Sequence, residues 1–139
     1  MKVQAARNRG RRRSGTAAIE FAIVFPIFTT FTFAQLEAAR IGQVTQLLTT
    51  AARQGARVAV ISGQTQADVQ TAVDRVLSSA GISVGTVTPT PSTWDTDPGG
   101  TLITVSVSVP YSQVSWISPS MYFGSTILTG SATMSSERP

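Results

Sequence analysis

Gly15 and Glu20, in the stretch RRRSGTAAIEF, are the residues of this chain whose types and spacing point to chemistry. A glycine closes a run of arginines, and a carboxylate stands five residues later inside an apolar segment. Placing a lone carboxylate in hydrocarbon is costly, so Glu20 calls for a partner or a purpose. The Gly15–Thr16 bond offers a peptidase a small, unhindered cleavage point, and its hydrolysis would leave a free α-amine on Thr16. Glu20 would then be the fifth residue of the shortened chain. A cationic amine is the group that neutralises a carboxylate at membrane depth. A plainer reading leaves Glu20 at the membrane–water boundary, its carboxyl turned to water, opening a helix whose N-terminal dipole favours an acid.

The elements around these residues decide where that chemistry would occur. Six of the eleven basic residues (Lys2, Arg7, Arg9, Arg11, Arg12, Arg13) precede Ser14, whereas the rest of the chain carries five arginines against seven acids. The formal charge of +4 is therefore a property of a short basic head. Residues 1–15 are polar and glycine-punctuated, a composition that predicts disorder. Residues 16–36, TAAIEFAIVFPIFTTFTFAQL, hold one charge and are long enough to cross a bilayer. The basic residues before them predict a cytoplasmic N-terminus and an extracytoplasmic remainder. Pro26 removes one helical hydrogen bond, a loss that Thr29 and Thr30 are placed to relieve.

Helical character continues through EAARIGQVTQLLTTAARQGARVAVI, residues 37–61, as a stalk. Ala52, Gly55, Ala56 and Ala59 fall at i, i+3, i+4 and i+7, a stripe of small residues that permits close approach of another backbone. Glu37 can pair with Arg40 one turn later. SGQT, residues 62–65, ends the helix. TQADVQTAVDRVLSSAG follows as a second, amphipathic helix, with Gly81 as its C-terminal stop. The remainder reads as strands: ISVGTVT (82–88), the alternating TLITVSVSVPY (101–111) and STILTGSATMSS (125–136). The chain is thus expected to be α+β: a long N-terminal helix (transmembrane plus stalk), a second amphipathic helix and a small antiparallel sheet. Residues 62–139 would form the extracytoplasmic domain, with the helices over one sheet face.

Composition excludes several functions. With no cysteine and no histidine, disulfides, thiol nucleophiles and a Ser-His-Asp triad are ruled out. The acids are scattered and no residue looks catalytic, so no enzyme and no cofactor is expected. WDTDPGG (94–100) offers two carboxylates but lacks the third acid and the spacing of an EF-hand loop, and it reads as a turn, with no metal. The basic head lacks interleaved aromatics and a basic partner face, so no nucleic-acid partner is expected. Trp94, Tyr111, Trp116, Tyr122 and Phe123 are either packing residues of a small core or a contact surface.

A basic leader, a glycine before the apolar run and a glutamate five residues on form the pattern of a prepilin-type leader, cut after Gly15 on the cytoplasmic side. The wider stretch resembles the N-terminal region of TadE-like proteins, minor pseudopilins of the tight-adherence (type IVc) pilus. The resemblance is carried by GxAAxEFAxVxP (Gly15 to Pro26), the acid Glu37 at the end of the apolar helix, and AARQGAR (Ala51 to Arg57). Phe21 departs from it, because many tight-adherence pilins carry tyrosine at that position, and the apolar segment is richer in threonine than usual. The resemblance implies a single-pass protein of the bacterial inner membrane that assists pilus assembly. Its implied partners are a prepilin peptidase, other pseudopilins or the major pilin, the inner-membrane assembly platform and the lipid bilayer. Glu20 would pair with the new N-terminus of a neighbouring subunit. Two alternatives use the same residues. A signal peptidase cutting after Thr32-Phe33-Ala34 would release a secreted domain beginning at Gln35. An uncleaved signal anchor would display an envelope domain that binds a cell-surface partner.

Overall fold

The structure, a computed structural model, describes the backbone of residues 4–83, 85–116 and 125–137, with side chains from Gly15 onward. Two compact units divide the chain, Met1–Leu36 and Glu37–Pro139. Helix α1 runs Gln4–Ala59 and so contributes to both. Its start at Gln4 corrects the expectation of disorder over residues 4–15, the described part of the basic head. Alanine, arginine and glutamine are strong helix formers, and they outweigh the propensity cost of Gly10.

Among the described side chains of the first unit, from Gly15 to Leu36, none enters a core. Ile19, Phe21, Ile23, Ile27 and Phe28 are all more than 60% exposed, which in water would be an untenable apolar surface. The threonines satisfy their own hydroxyls: Thr29 donates to the Phe25 carbonyl at 2.8 Å, Thr30 to that of Pro26 at 2.8 Å, and Thr32 to that of Phe28 at 2.9 Å. Those bonds make a threonine-rich helix compatible with hydrocarbon. They do not compensate Pro26 as the sequence suggests. The acceptor that Pro26 releases is the Ala22 carbonyl, four residues back, whereas these hydroxyl bonds go to the Phe25 and Pro26 carbonyls.

The second unit is built on a three-stranded antiparallel meander of β1 (Thr86–Thr90), β2 (Leu102–Pro110) and β3 (Ile127–Ser135), in the order β1-β2-β3. The alternation of β2 sets its two faces. Ile103, Val105, Val107 and Val109 are fully buried. Thr104, Ser106 and Ser108 face the other way, each between a β1 threonine (Thr90, Thr88, Thr86) and a β3 hydroxyl (Thr133, Ser131, Thr129). Thr104 and Thr133 bond directly at 2.8 Å. This outer face is uncharged and hydroxyl-lined, so it can remain solvated without a partner.

The inner face is covered by α1 from Glu37 and by α2 (Gln66–Ser79), which together form one core. Thr65 caps α2 in a reciprocal box. Its backbone N–H donates to the Asp68 carboxylate at 2.8 Å, and the Asp68 N–H donates to the Thr65 hydroxyl at 3.4 Å. The helix ends in a Schellman turn: Ile82 N–H donates to the Leu77 carbonyl and Gly81 N–H to that of Ser78, with Gly81 at φ +73°. Ile82, 5% exposed, thus serves as the apolar residue that closes α2. For that reason β1 begins at Thr86 and not at the expected residue 82.

Two glycines set the depth of packing. A Cβ on Gly55 would lie 2.9 Å from Val73 Cγ2 and 3.2 Å from Val105 Cγ1, so α1 meets both α2 and β2 there. A Cβ on Gly130 would collide with the backbone at Leu48 and Thr49, lying 2.8 Å from Leu48 Cβ. Strand β3 therefore lies almost directly on α1, a contact open only to glycine.

Candidate processing site and membrane-exit cluster

Gly15 and Thr16 lie within α1, and a Cβ on Gly15 would meet nothing within 4 Å. Neither packing nor backbone conformation requires glycine there, and in a helix it costs about 1 kcal/mol relative to alanine. Glu20 is exposed on the same apolar helix, and among the described residues none hydrogen-bonds its carboxylate. The stretch Gly15–Ala59 contains a window of mean hydropathy 1.8, none of it buried in the protein, and is long and apolar enough to cross a membrane.

The small-residue stripe lies in the second unit. Ala52, Ala56 and Ala59 are fully buried in its core, and Gly55 sits against Val69, Val73 and Val105. The backbones this stripe admits are therefore those of the chain's own α2 and β2. Arg53 and Arg57, on the opposite side, are exposed.

The bonds seen for Glu37 and Arg40 run to a distant segment and not along the helix as the sequence suggests. Glu37 is 2% exposed. Its carboxylate accepts from the Ser115 hydroxyl at 3.3 Å and from the Trp116 N–H at 3.2 Å. Arg40 Nε donates to the Val114 carbonyl at 3.1 Å, and its guanidinium carbon lies 5.0 Å from the Trp116 ring centre. The first turn of the second unit thus grips a segment nearly eighty residues away in sequence. A carboxylate that accepts two bonds is tolerable when buried, whereas an unbonded one is not. The sequence flagged Glu37 and Trp116 separately, and no local pattern could join them.

The aromatics divide between packing and surface. Trp94 and Tyr111 are buried, at 5% and 1% exposure, whereas Trp116 is 69% exposed. Tyr122 and Phe123 lie outside the described residues. WDTDPGG folds as a turn, with the N–H groups of Thr96 and Asp97 both donating to the Thr93 carbonyl. Among the described residues no three His, Cys, Asp or Glu side chains gather as metal ligands. Asp68 has its acidity strengthened, its carboxyl held below the usual range chiefly by the Thr65 hydroxyl and then by the Thr65 N–H.

Residues 15–57 match the family model of TadE-like proteins. This segment of the chain is TadE-like. The match begins at Gly15, contains Glu20, Glu37 and Arg40, and ends at Arg57. The likeness lies wholly within α1 and does not extend to α2 or the sheet. No curated protein and no solved structure matches the chain.

Proposed function

We propose that this protein is a minor pseudopilin of a tight-adherence pilus, held in the inner membrane by α1 and matured by cleavage after Gly15. The observation that carries the reading is that the TadE-like match opens at Gly15, the residue the leader pattern marks as the cut. The arrangement of α1 supports it. Residues 16–36 present an apolar surface with no core of their own, and Glu20 interrupts that surface without a described partner. Cleavage supplies one: an α-amine with an ordinary pKa near 8 is cationic at neutral pH and offsets the carboxylate in lipid. Between neighbouring subunits this pairing would fix the axial register of the helices. The partners are then a prepilin peptidase, the other pseudopilins or the major pilin, and the assembly platform of the inner membrane, with the Glu37–Pro139 unit extracytoplasmic.

Two substitutions test the reading. Gly15→Ala should slow leader removal and Gly15→Leu should block it, read as a mobility shift of the membrane-bound protein; normal processing of Gly15→Leu would refute the leader. Glu20→Ala should be processed and inserted normally but leave pilus assembly impaired. Wild-type piliation in that strain would refute the pairing role.

One observation favours a second reading. The compact unit begins at Glu37, two residues after the first residue of a chain cut behind Ala34. A secreted Gln35–Pro139 domain would retain every core residue. It would appear free of the membrane, and the two readings separate on that point.

A further inference from the structure

We infer that Arg40 and Trp116 form a lipid-headgroup anchor, which seats the Glu37–Pro139 unit on the membrane surface. The inference rests on the membrane-anchored reading. It begins from an exposed tryptophan that is held firmly in place. Trp116 is 69% exposed, yet its backbone N–H is bonded to Glu37 and its ring lies against the Arg40 guanidinium, which is itself tied to Val114. The other tryptophan, Trp94, is buried and serves the core. Trp116 adds little to the core, but the fold fixes its position.

Chain geometry sets the height of that position. Glu37 directly follows Leu36, the last residue of the apolar run. Arg40 lies four residues beyond Leu36, about 6 Å at helical rise, and four residues cannot span more than about 14 Å in any conformation. The headgroup layer on each side of the hydrocarbon is about 5–8 Å deep. Residues bonded to Glu37 and Arg40 therefore fall within or at the rim of that layer whenever residues 16–36 span the bilayer.

The chemistry suits that depth. Indole, with an apolar body and one N–H, favours the membrane interface. Arginine buries its stem and presents a planar donor fork to phosphate oxygens. In Arg40 the nitrogen bonded to Val114 is Nε, and among the described residues none is hydrogen-bonded to the terminal amino groups. The Val114 bond and the Trp116 ring 5.0 Å away restrain the guanidinium, so a phosphodiester would meet a partly ordered site. The nearby acid, Glu37, is turned inward onto Ser115 and Trp116 and does not compete for the phosphate.

The test uses the full chain reconstituted in vesicles of phosphatidylcholine and phosphatidylglycerol, with flotation as the control for insertion. The chain has two tryptophans, so wild type is compared with Trp116→Phe, which leaves the buried Trp94 untouched. In wild type the emission component absent from Trp116→Phe should be blue-shifted, protected from acrylamide and largely quenched by lipids brominated near the headgroup. Arg40→Ala should weaken that quenching while still floating. If the protein does not float, the membrane reading itself fails. If it floats and the Trp116 component is acrylamide-accessible and insensitive to brominated lipid, the anchor is refuted and the membrane reading stands. Protection from acrylamide without bromine quenching would also refute the anchor, because a protein surface and not lipid would then cover Trp116.

Discussion

Replacing Gly130 with alanine should destabilise the Glu37–Pro139 unit far more than the same change at Gly55, although both glycines lie in one core. At Gly130 the added Cβ would stand 2.5 Å from the Leu48 carbonyl carbon and against Thr49 N. These are helix backbone atoms, so no rotamer change removes the clash. Restoring ordinary contact with these backbone atoms moves β3 about 1 Å off α1. Overpacking of this kind costs about 1–3 kcal/mol, and a gap of that size also forfeits a quarter to a half of the dispersion across the contact. Against this stands about 0.4–1 kcal/mol gained from a stiffer unfolded chain. With the lost dispersion included, the net expected loss is about 1–3 kcal/mol. At Gly55 the nearest atoms are methyl groups of Val73 and Val105, at 2.9 and 3.2 Å. They can yield by a few tenths of an ångström, and alanine recovers about 1 kcal/mol of helix propensity. Gly55→Ala should therefore fall within about 1 kcal/mol of wild type. The assay is urea unfolding of the full chain in mild detergent, followed by circular dichroism. Equal losses for the two variants, or a Gly130→Ala protein as stable as wild type, would refute the claim that backbone contact at Leu48–Thr49 sets the spacing of sheet and helix.

Other perturbations address separate parts of the molecule. Thr65→Ala should cost about 1 kcal/mol in the same unfolding assay, because it removes the hydroxyl that caps α2. Asp68 is more acidic folded than unfolded, so its contribution to stability is present above the ordinary value of 3.8 and lost as pH falls through the lowered folded value. Asp68→Asn should flatten that part of the acid unfolding profile, and an unchanged profile would count against the capping box. Glu37→Ala should cost about 1–3 kcal/mol by stranding the Trp116 N–H and the Ser115 hydroxyl. It should also speed hydrogen exchange at Trp116, with Glu37→Gln, which keeps an acceptor oxygen, milder on both counts.

Local patterns made most of the fold legible. The alternation of TLITVSVSVPY predicted which β2 residues are buried, and the Gly81 stop of α2 is where the helix turns. These signals are contained within one element. Features that depend on distant segments were not readable. Gly130 looks like an ordinary weak point in a strand until Leu48 is placed above it. Glu37 and Arg40 look like a helix ion pair until Val114, Ser115 and Trp116 arrive. The start of β1 is not legible because the helix stop and the strand compete for Ile82, and local propensity does not decide that contest. At the candidate processing site the balance is reversed. Gly15 and Glu20 stand out in the sequence because the fold gives them no task, and under the proposed reading their chemistry is directed at other molecules.

The most direct test is the N-terminal mass of the protein extracted from cell membranes. A chain beginning at Thr16 is the predicted result, and it makes Glu20 the fifth residue, opposite a new amine. A chain beginning at Gln35, or an intact Met1, would contradict leader cleavage after Gly15 and with it the pseudopilin assignment.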